Sequence, residues 1–180
     1  MPPRVRSDPI SYHAVPLTGL APIARRDARV LLLGSFPGAR SLAEQRYYAH
    51  PQNQFWRLLA AIWPEYPQPA PYARRCRWLR DRGVALWDVY ASCDREGSLD
   101  SAIDEAEPND LLGLISRLRR LECVACNGGL AHRTARRLLA DTGLEIVGLP
   151  SSSPANATWS FSRKLAAWRA ALRPASDRSA

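Results

Sequence analysis

At 180 residues, 46% of them apolar, the chain can bury a core of its own, and a single globular domain over 1–180 is the expectation. No apolar run approaches the roughly 20 residues that a membrane-spanning helix requires, and with no signal-like N-terminus the cytoplasm is the expected compartment. The net charge of +8 and a pI near 9.9 favour a polyanionic partner.

Pro2, Pro3 and Pro9 block regular structure over residues 1–10, which are expected to be loose, as is the tail 174–180. Val30 to Leu33 form a continuous apolar run ending at Gly34, the pattern of a strand buried on both faces. A loop of about 15 residues is expected next, then a helix from Pro51 through Trp56, Leu59, Ala60 and Trp63, stopped by Pro64. The proline-rich connector Pro64 to Pro71 leads to a basic helix over Tyr72 to Asp81 and a second strand, Val84 to Tyr90. On that strand Val84, Leu86, Asp88 and Tyr90 alternate onto one face, with Asp88 near its carboxyl end.

After a polar loop the pattern predicts a helix over Glu107 to Leu118 and a third strand over Glu122 to Cys126, ending at Asn127-Gly128-Gly129. A helix over Leu130 to Ala140 and a fourth strand over Leu144 to Leu149 follow. The last helix carries Phe161, Leu165, Trp168 and Leu172 on one stripe, with Arg163 and Lys164 expected to face solvent. Strands and helices alternate, so the expected fold is α/β: a three-layer α/β/α sandwich around a central, mostly parallel four-stranded sheet. In such sheets ligands lie beyond the carboxyl ends of the strands. Those ends here are GSFPG, DVYASC, the Asn-Gly-Gly turn and LPSSSPANA.

The chemistry concentrates around the first of these. Phe36, Tyr47, Tyr48, Asn53, Phe55 and Trp56 crowd the span between the first strand and the helix after it. Aromatic faces, loop N–H groups and an amide suit a pocket for a flat, hydrogen-bonding ring. Cys76, Cys93, Cys123 and Cys126 and the histidines His13, His50 and His132 form no metal-ligand spacing, and the two thiols of Cys123-Val-Ala-Cys126 would face opposite sides of a strand. No metal site is expected from these residues. Lys164 is the sole lysine among 25 basic residues, so chemistry that needs a lysine amine has one candidate. The Asn127-Gly128-Gly129 turn suits a close backbone approach and is given no chemistry. Arg74, Arg75, Arg77 and Arg80 fit a DNA-backbone face and a merely solvated helix surface equally well.

GSFPG after a buried strand, then YYAHPQNQFW, GVALWDVYASC and LPSSSPANA before an amphipathic terminal helix, taken in that order, resembles the uracil-DNA glycosylase superfamily, in particular the branch of DNA-deoxyinosine (hypoxanthine-DNA) glycosylases. The resemblance covers about Val30 to Leu172. It implies a monofunctional glycosylase that takes double- or single-stranded DNA containing a deaminated base, flips out hypoxanthine or uracil and hydrolyses the N-glycosidic bond. It implies a monomer with no membrane and no cofactor.

The same resemblance implies site residues. Gly34, Ser35, Phe36, Tyr48 and Asp88 would contact the base, with Tyr48 stacking on it and Tyr47 in the core. Phe36 departs from the family pattern, which has a polar, water-positioning residue before Pro37; phenylalanine cannot orient water, so that role passes elsewhere. Asn53 is the first choice, against the reading that it only caps the following helix. Asp88 has three readings: accepting a ring N–H, activating water, or bonding the backbone. Ser151, Ser152, Ser153, Pro154, Ala155 and Asn156 would contact DNA, the serine amides at phosphate and the tip as a wedge, against the reading of a serine-rich helix cap. Related families carry a histidine in that loop, and this chain does not. Two other classes stay open: a damaged-base binder that does not cut, and an α/β enzyme acting on a small nucleotide.

Overall fold

A computed structural model describes residues 16–95 and 97–172; the N-terminal prolines, His13 and the tail 174–180 lie outside the described residues. The chain opens with a two-residue strand, β1 (Leu17–Thr18), and enters the fully buried β2 (Val30–Gly34). The expected loop after β2 contains a helix, α1 (Ala39–Glu44), which Gln45 ends in the left-handed region at φ 52°. The helix expected from Pro51 begins later, as α2 (Phe55–Ile62), because Asn53 turns the chain and its Oδ1 accepts from the Phe55 N–H at 3.0 Å. The basic helix α3 (Tyr72–Asp81) lies where the pattern predicts it.

The expected second strand is two strands, β3 (Val84–Asp88) and β4 (Tyr90–Asp94), in different sheets. Asn109 holds the break: its Nδ2 donates to the carbonyls of Asp88 and Tyr90, both at 2.9 Å. Tyr90 therefore does not continue the face that carries Asp88. The helix expected from Glu107 is likewise corrected, to a strand, β5 (Asp104–Pro108), and a short helix, α4 (Leu111–Ile115). Pro108 closes the strand, and Asp110 caps the helix by accepting from Gly113 N–H at 2.9 Å. The remainder follows the pattern, with β6 (Cys123–Asn127), α5 (Gly129–Leu138), β7 (Glu145–Leu149) and α6 (Phe161–Leu172).

The central sheet is parallel throughout, in the order β3-β2-β6-β7, and a second, antiparallel sheet of order β1-β4-β5 abuts it. That second sheet was not legible in the sequence. The alternation of β2 explains the layering. Leu32 packs with Phe55, Leu59, Leu79 and Trp168 from the α2/α3/α6 layer, while Leu31 and Leu33 pack with Leu114, Ala131 and Ala135 from the α4/α5 layer. The outer edge of β3 is covered by Ile23, which exchanges two backbone hydrogen bonds with Leu86 at 2.9 and 2.8 Å.

One side chain is misplaced by the helical pattern. Lys164, expected at the solvent face of α6, is 1% exposed, and its Nζ donates to the Asn156 carbonyl at 2.8 Å. Cys123 and Cys126 do pack on opposite faces of β6, and all four cysteines are free thiols. Among the described residues no helix is long and apolar enough to cross a membrane, and no cluster of side chains could hold a metal ion.

Candidate functional site

Strand order reverses direction at β2, whose neighbours β3 and β6 connect to it from opposite sides, so the carboxyl ends of these three strands frame the topological switch point of the sheet. A cleft of about 600 Å³ opens there. Its walls include Gly34, Ser35 and Phe36 after β2, Tyr48 and Asn53 before α2, Asp88 at the end of β3, Asn127 at the end of β6, and 151–156 after β7. Every site residue read from the sequence thus meets at one cavity.

The floor is set by close approach at Gly34. A Cβ there would stand 2.3 Å from Asp88 Oδ1 and 2.8 Å from the Tyr48 hydroxyl, so only glycine lets the two side chains converge. Gly34 and Asp88 are direct cross-strand partners in the β2/β3 register. Asp88 is 3% exposed and its Oδ2 has no hydrogen-bond partner among the described residues. Burial pushes its carboxyl up to about 7, the negative charge of Asp100 adds to this, and Arg95 opposes it. Near neutral pH the group is therefore divided between acid and carboxylate.

Tyr48 lies with its backbone in the left-handed region, φ 54°, and its ring stacked on Phe55 at 3.8 Å and 15°. Burial raises its phenol above the usual range, with the Asp88 charge adding to the effect, so it stays a neutral donor or acceptor. Tyr47 is the core member of the pair, its hydroxyl directed at the carbonyls of Leu20 and Ala21. Asn53 Oδ1 accepts from the Phe55 N–H, which fixes the amide's orientation and leaves Nδ2 as a donor and one lone pair of Oδ1 as an acceptor.

Asn127 is the residue that sequence reasoning passed over. Its Nδ2 donates to Tyr48 Oη at 3.0 Å and to Ser152 Oγ at 2.8 Å, and its Oδ1 accepts from Ser152 N–H at 2.8 Å. One amide thereby ties the end of β6 to Tyr48 and to the loop after β7. The signal was present in the Asn-Gly-Gly sequence: Gly128, at φ 103°, brings the backbone so near the loop that a Cβ on it would stand 3.3 Å from Ser151 Cβ. Ser152 is fully buried and its carbonyl accepts from Gln54 N–H at 2.9 Å, so the loop is also tied to the start of α2. Pro154 and Ala155 are exposed at the tip.

The opposite rim comes from the loop after β4, also unseen in the sequence. Ser98, Leu99, Asp100 and Ser101 line the cleft, and Asp100 Oδ1 accepts from Ser35 Oγ at 2.5 Å. Arg95 donates to the Pro37 carbonyl with its guanidinium 5.1 Å from the Phe36 ring centroid. Phe36 is 6% exposed and serves as an apolar wall. Of the α3 arginines, Arg74 and Arg77 line a separate hollow with Tyr66 and Trp78, and none of the four lines the strand-end cleft.

Comparison with known proteins agrees with this fold. Residues 22–173 match the family model described as Uracil DNA glycosylase superfamily. Two curated relatives named Hypoxanthine DNA glycosylase, from Methanosarcina acetivorans and Methanosarcina barkeri, are each 36% identical over 155 residues, covering 86% of this chain and 97% of the relative. A solution NMR structure of a Methanosarcina acetivorans protein has a TM-score of 0.78 at 35% identity, covering 88% of this chain and 98% of that one.

Proposed function

Because the chain belongs to the uracil DNA glycosylase superfamily, we propose that it is a monofunctional DNA glycosylase that flips a deaminated base, hypoxanthine ahead of uracil, into the strand-end cleft and hydrolyses its N-glycosidic bond. The observation that carries this reading is the convergence of a stacked tyrosine, an amide donor and a half-neutral carboxyl on one cavity. The names of the two relatives support hypoxanthine, as does a cleft of about 600 Å³, roomy enough for a purine.

Each group has a task its chemistry suits. Phe55 backs one face of Tyr48, and a base stacked on the other gains about 1–3 kcal/mol. The lactam edge of hypoxanthine or uracil presents a ring N–H beside a carbonyl oxygen. A neutral Asp88 carboxyl matches it, accepting the N–H and donating to the oxygen, whereas an ionised Asp88 would repel the base as it departs with the bonding electrons. Asn53, its amide oriented by the Phe55 N–H, can donate from Nδ2 to negative charge on the base, and its Oδ1 keeps a second lone pair for a water. Each tenfold of rate corresponds to about 1.4 kcal/mol of such differential stabilisation. Lys164, the sole lysine, holds a loop carbonyl and does not line the cavity, so no lysine amine stands ready for a Schiff base at the sugar, and the product is an abasic site in an intact strand.

The test is single-turnover cleavage of labelled duplexes carrying one hypoxanthine, uracil or xanthine, developed with alkali. The expected result is cleavage fastest at hypoxanthine and reduced at least about a hundredfold by Asn53→Ala. Tight binding of the damaged duplex with no abasic product would make the chain a recognition protein instead.

A further inference from the structure

Deprotonating an attacking water needs a base, and among the described residues the carboxyl groups that line the cleft are Asp88 and Asp100. The neutral amides of Asn53 and Asn127, whose Oδ1 atoms accept from Phe55 N–H and Ser152 N–H, cannot take a proton. His50 Nδ1 accepts from Gln52 N–H at 3.3 Å, so a neutral ring carries its proton on Nε2 and offers a donor. Asp88 is enclosed at the floor, beneath the position of the base. Asp100 differs from all of these: it is exposed, it lines the cleft, and among the described residues its side chain bonds only Ser35, through one oxygen.

Its loop is held against the turn that follows β2 at three successive points. Arg95 bonds the Pro37 carbonyl, Ser98 Oγ accepts from Ala39 N–H at 3.0 Å, and Asp100 accepts from the 8% exposed Ser35. The carboxylate is thus fixed beside the residue adjacent to Phe36, at the wall of the cavity.

We propose that Asp100, oriented by Ser35, is the catalytic residue that holds and deprotonates the hydrolytic water, in place of any group from the strand-end motifs. The inference rests on the glycosylase reading above. The C1′–N bond breaks with its electron pair leaving on the base, the water oxygen bonds C1′, and the water proton passes to the free oxygen of Asp100 and on to solvent. The base takes its proton from solvent. The negative charge of Asp100 also lies near the sugar as it becomes cationic.

Asp100→Asn, nearly isosteric, is expected to lower the single-turnover rate on a hypoxanthine duplex about a hundredfold, while affinity for a duplex carrying a tetrahydrofuran abasic analogue stays within about threefold. Ser35→Ala is expected to lose about tenfold, and the double variant to be no slower than Asp100→Asn alone, since the two act as one unit. An Asp100→Asn enzyme within about threefold of wild type overturns the inference and leaves the glycosylase standing. Additive losses in the double variant overturn the Ser35–Asp100 unit. A wild type that cleaves no deaminated base overturns the function itself.

Discussion

The floor and the rim of the cleft are built by different means. At the floor, Gly34, Asp88, Tyr48 and Asn127 are fixed by strand register, by a glycine contact too close for any Cβ, and by an amide bonded three ways. At the rim, the 97–101 loop and the 154–155 tip are exposed, and their segments are held by single hydrogen bonds from Ser35, Ala39 and Lys164. A floor built this way positions groups before a ligand arrives, at the cost of leaving Asp88 Oδ2 without a hydrogen-bond partner among the described residues. The rim has room to accommodate a flexible polyanion. If the contrast is right, the floor should tolerate no change of shape, and the 154–155 tip of the rim should respond mainly in binding.

The sharpest way to break the contrast is Gly34→Ala. The added methyl would need the space that Asp88 Oδ1 and Tyr48 Oη occupy, and both are anchored, so neither yields without moving a strand end. A stability loss of about 1–3 kcal/mol in urea unfolding is expected from the overpacking, with a fall in single-turnover rate of at least about a hundredfold from misplacement of the groups around the base. A variant that cleaves at the wild-type rate would show that the floor deforms freely.

The next test concerns the electrostatics of the floor. The Asp88 carboxyl is raised in the folded state from 3.8 to about 7, so the native protein holds a proton that the unfolded chain has lost over that interval. The associated stability is fully present below about pH 4, falls by about 1.4 kcal/mol per pH unit as pH rises, and is gone above about pH 7. Asp88→Asn has no proton to lose and should flatten that part of the profile, leaving the variant more stable than wild type at pH 8. Urea unfolding at pH 5 and pH 8 measures it. Equal pH dependence in the two proteins would mean that Asp88 stays solvated and charged.

The same contrast governs what was legible in the sequence. The floor follows from patterns that physics makes local. A continuous apolar run ending in glycine becomes a buried strand, and the residues just beyond such ends, Ser35, Phe36, Asp88 and the serines after Leu149, converge because parallel strands share an end. The rim is set by contacts across long separations. Ser35 and Asp100 are 65 residues apart, and nothing in either neighbourhood announces the other. The second sheet escaped notice for a related reason: Val84 to Tyr90 holds no glycine or proline to mark a break, and Asn109, distant in sequence, holds the point where it divides. Asn127 was visible as part of a turn, but its threefold bonding depends on where the β7 loop returns.

Lys164 offers the gentlest probe, because it joins the rim to the core. A chain that uses arginine at every other basic position except histidine retains one lysine, and that lysine is 1% exposed with its amine on the Asn156 carbonyl. Burial lowers its pKa, which a guanidinium would resist, and a longer, forked head would overfill the space. Lys164→Arg is therefore expected to lose about 1–3 kcal/mol of stability through overpacking. Lys164→Met removes the buried charge and keeps the shape, so its stability should match or exceed wild type, while the loop loses its tether and affinity for a hypoxanthine duplex weakens about threefold to tenfold. Fluorescence anisotropy against thermal unfolding separates the two effects. A Lys164→Met protein that binds and cleaves like wild type would mean that Asn127 and Ser152 alone hold the loop, and that the floor governs the rim as well.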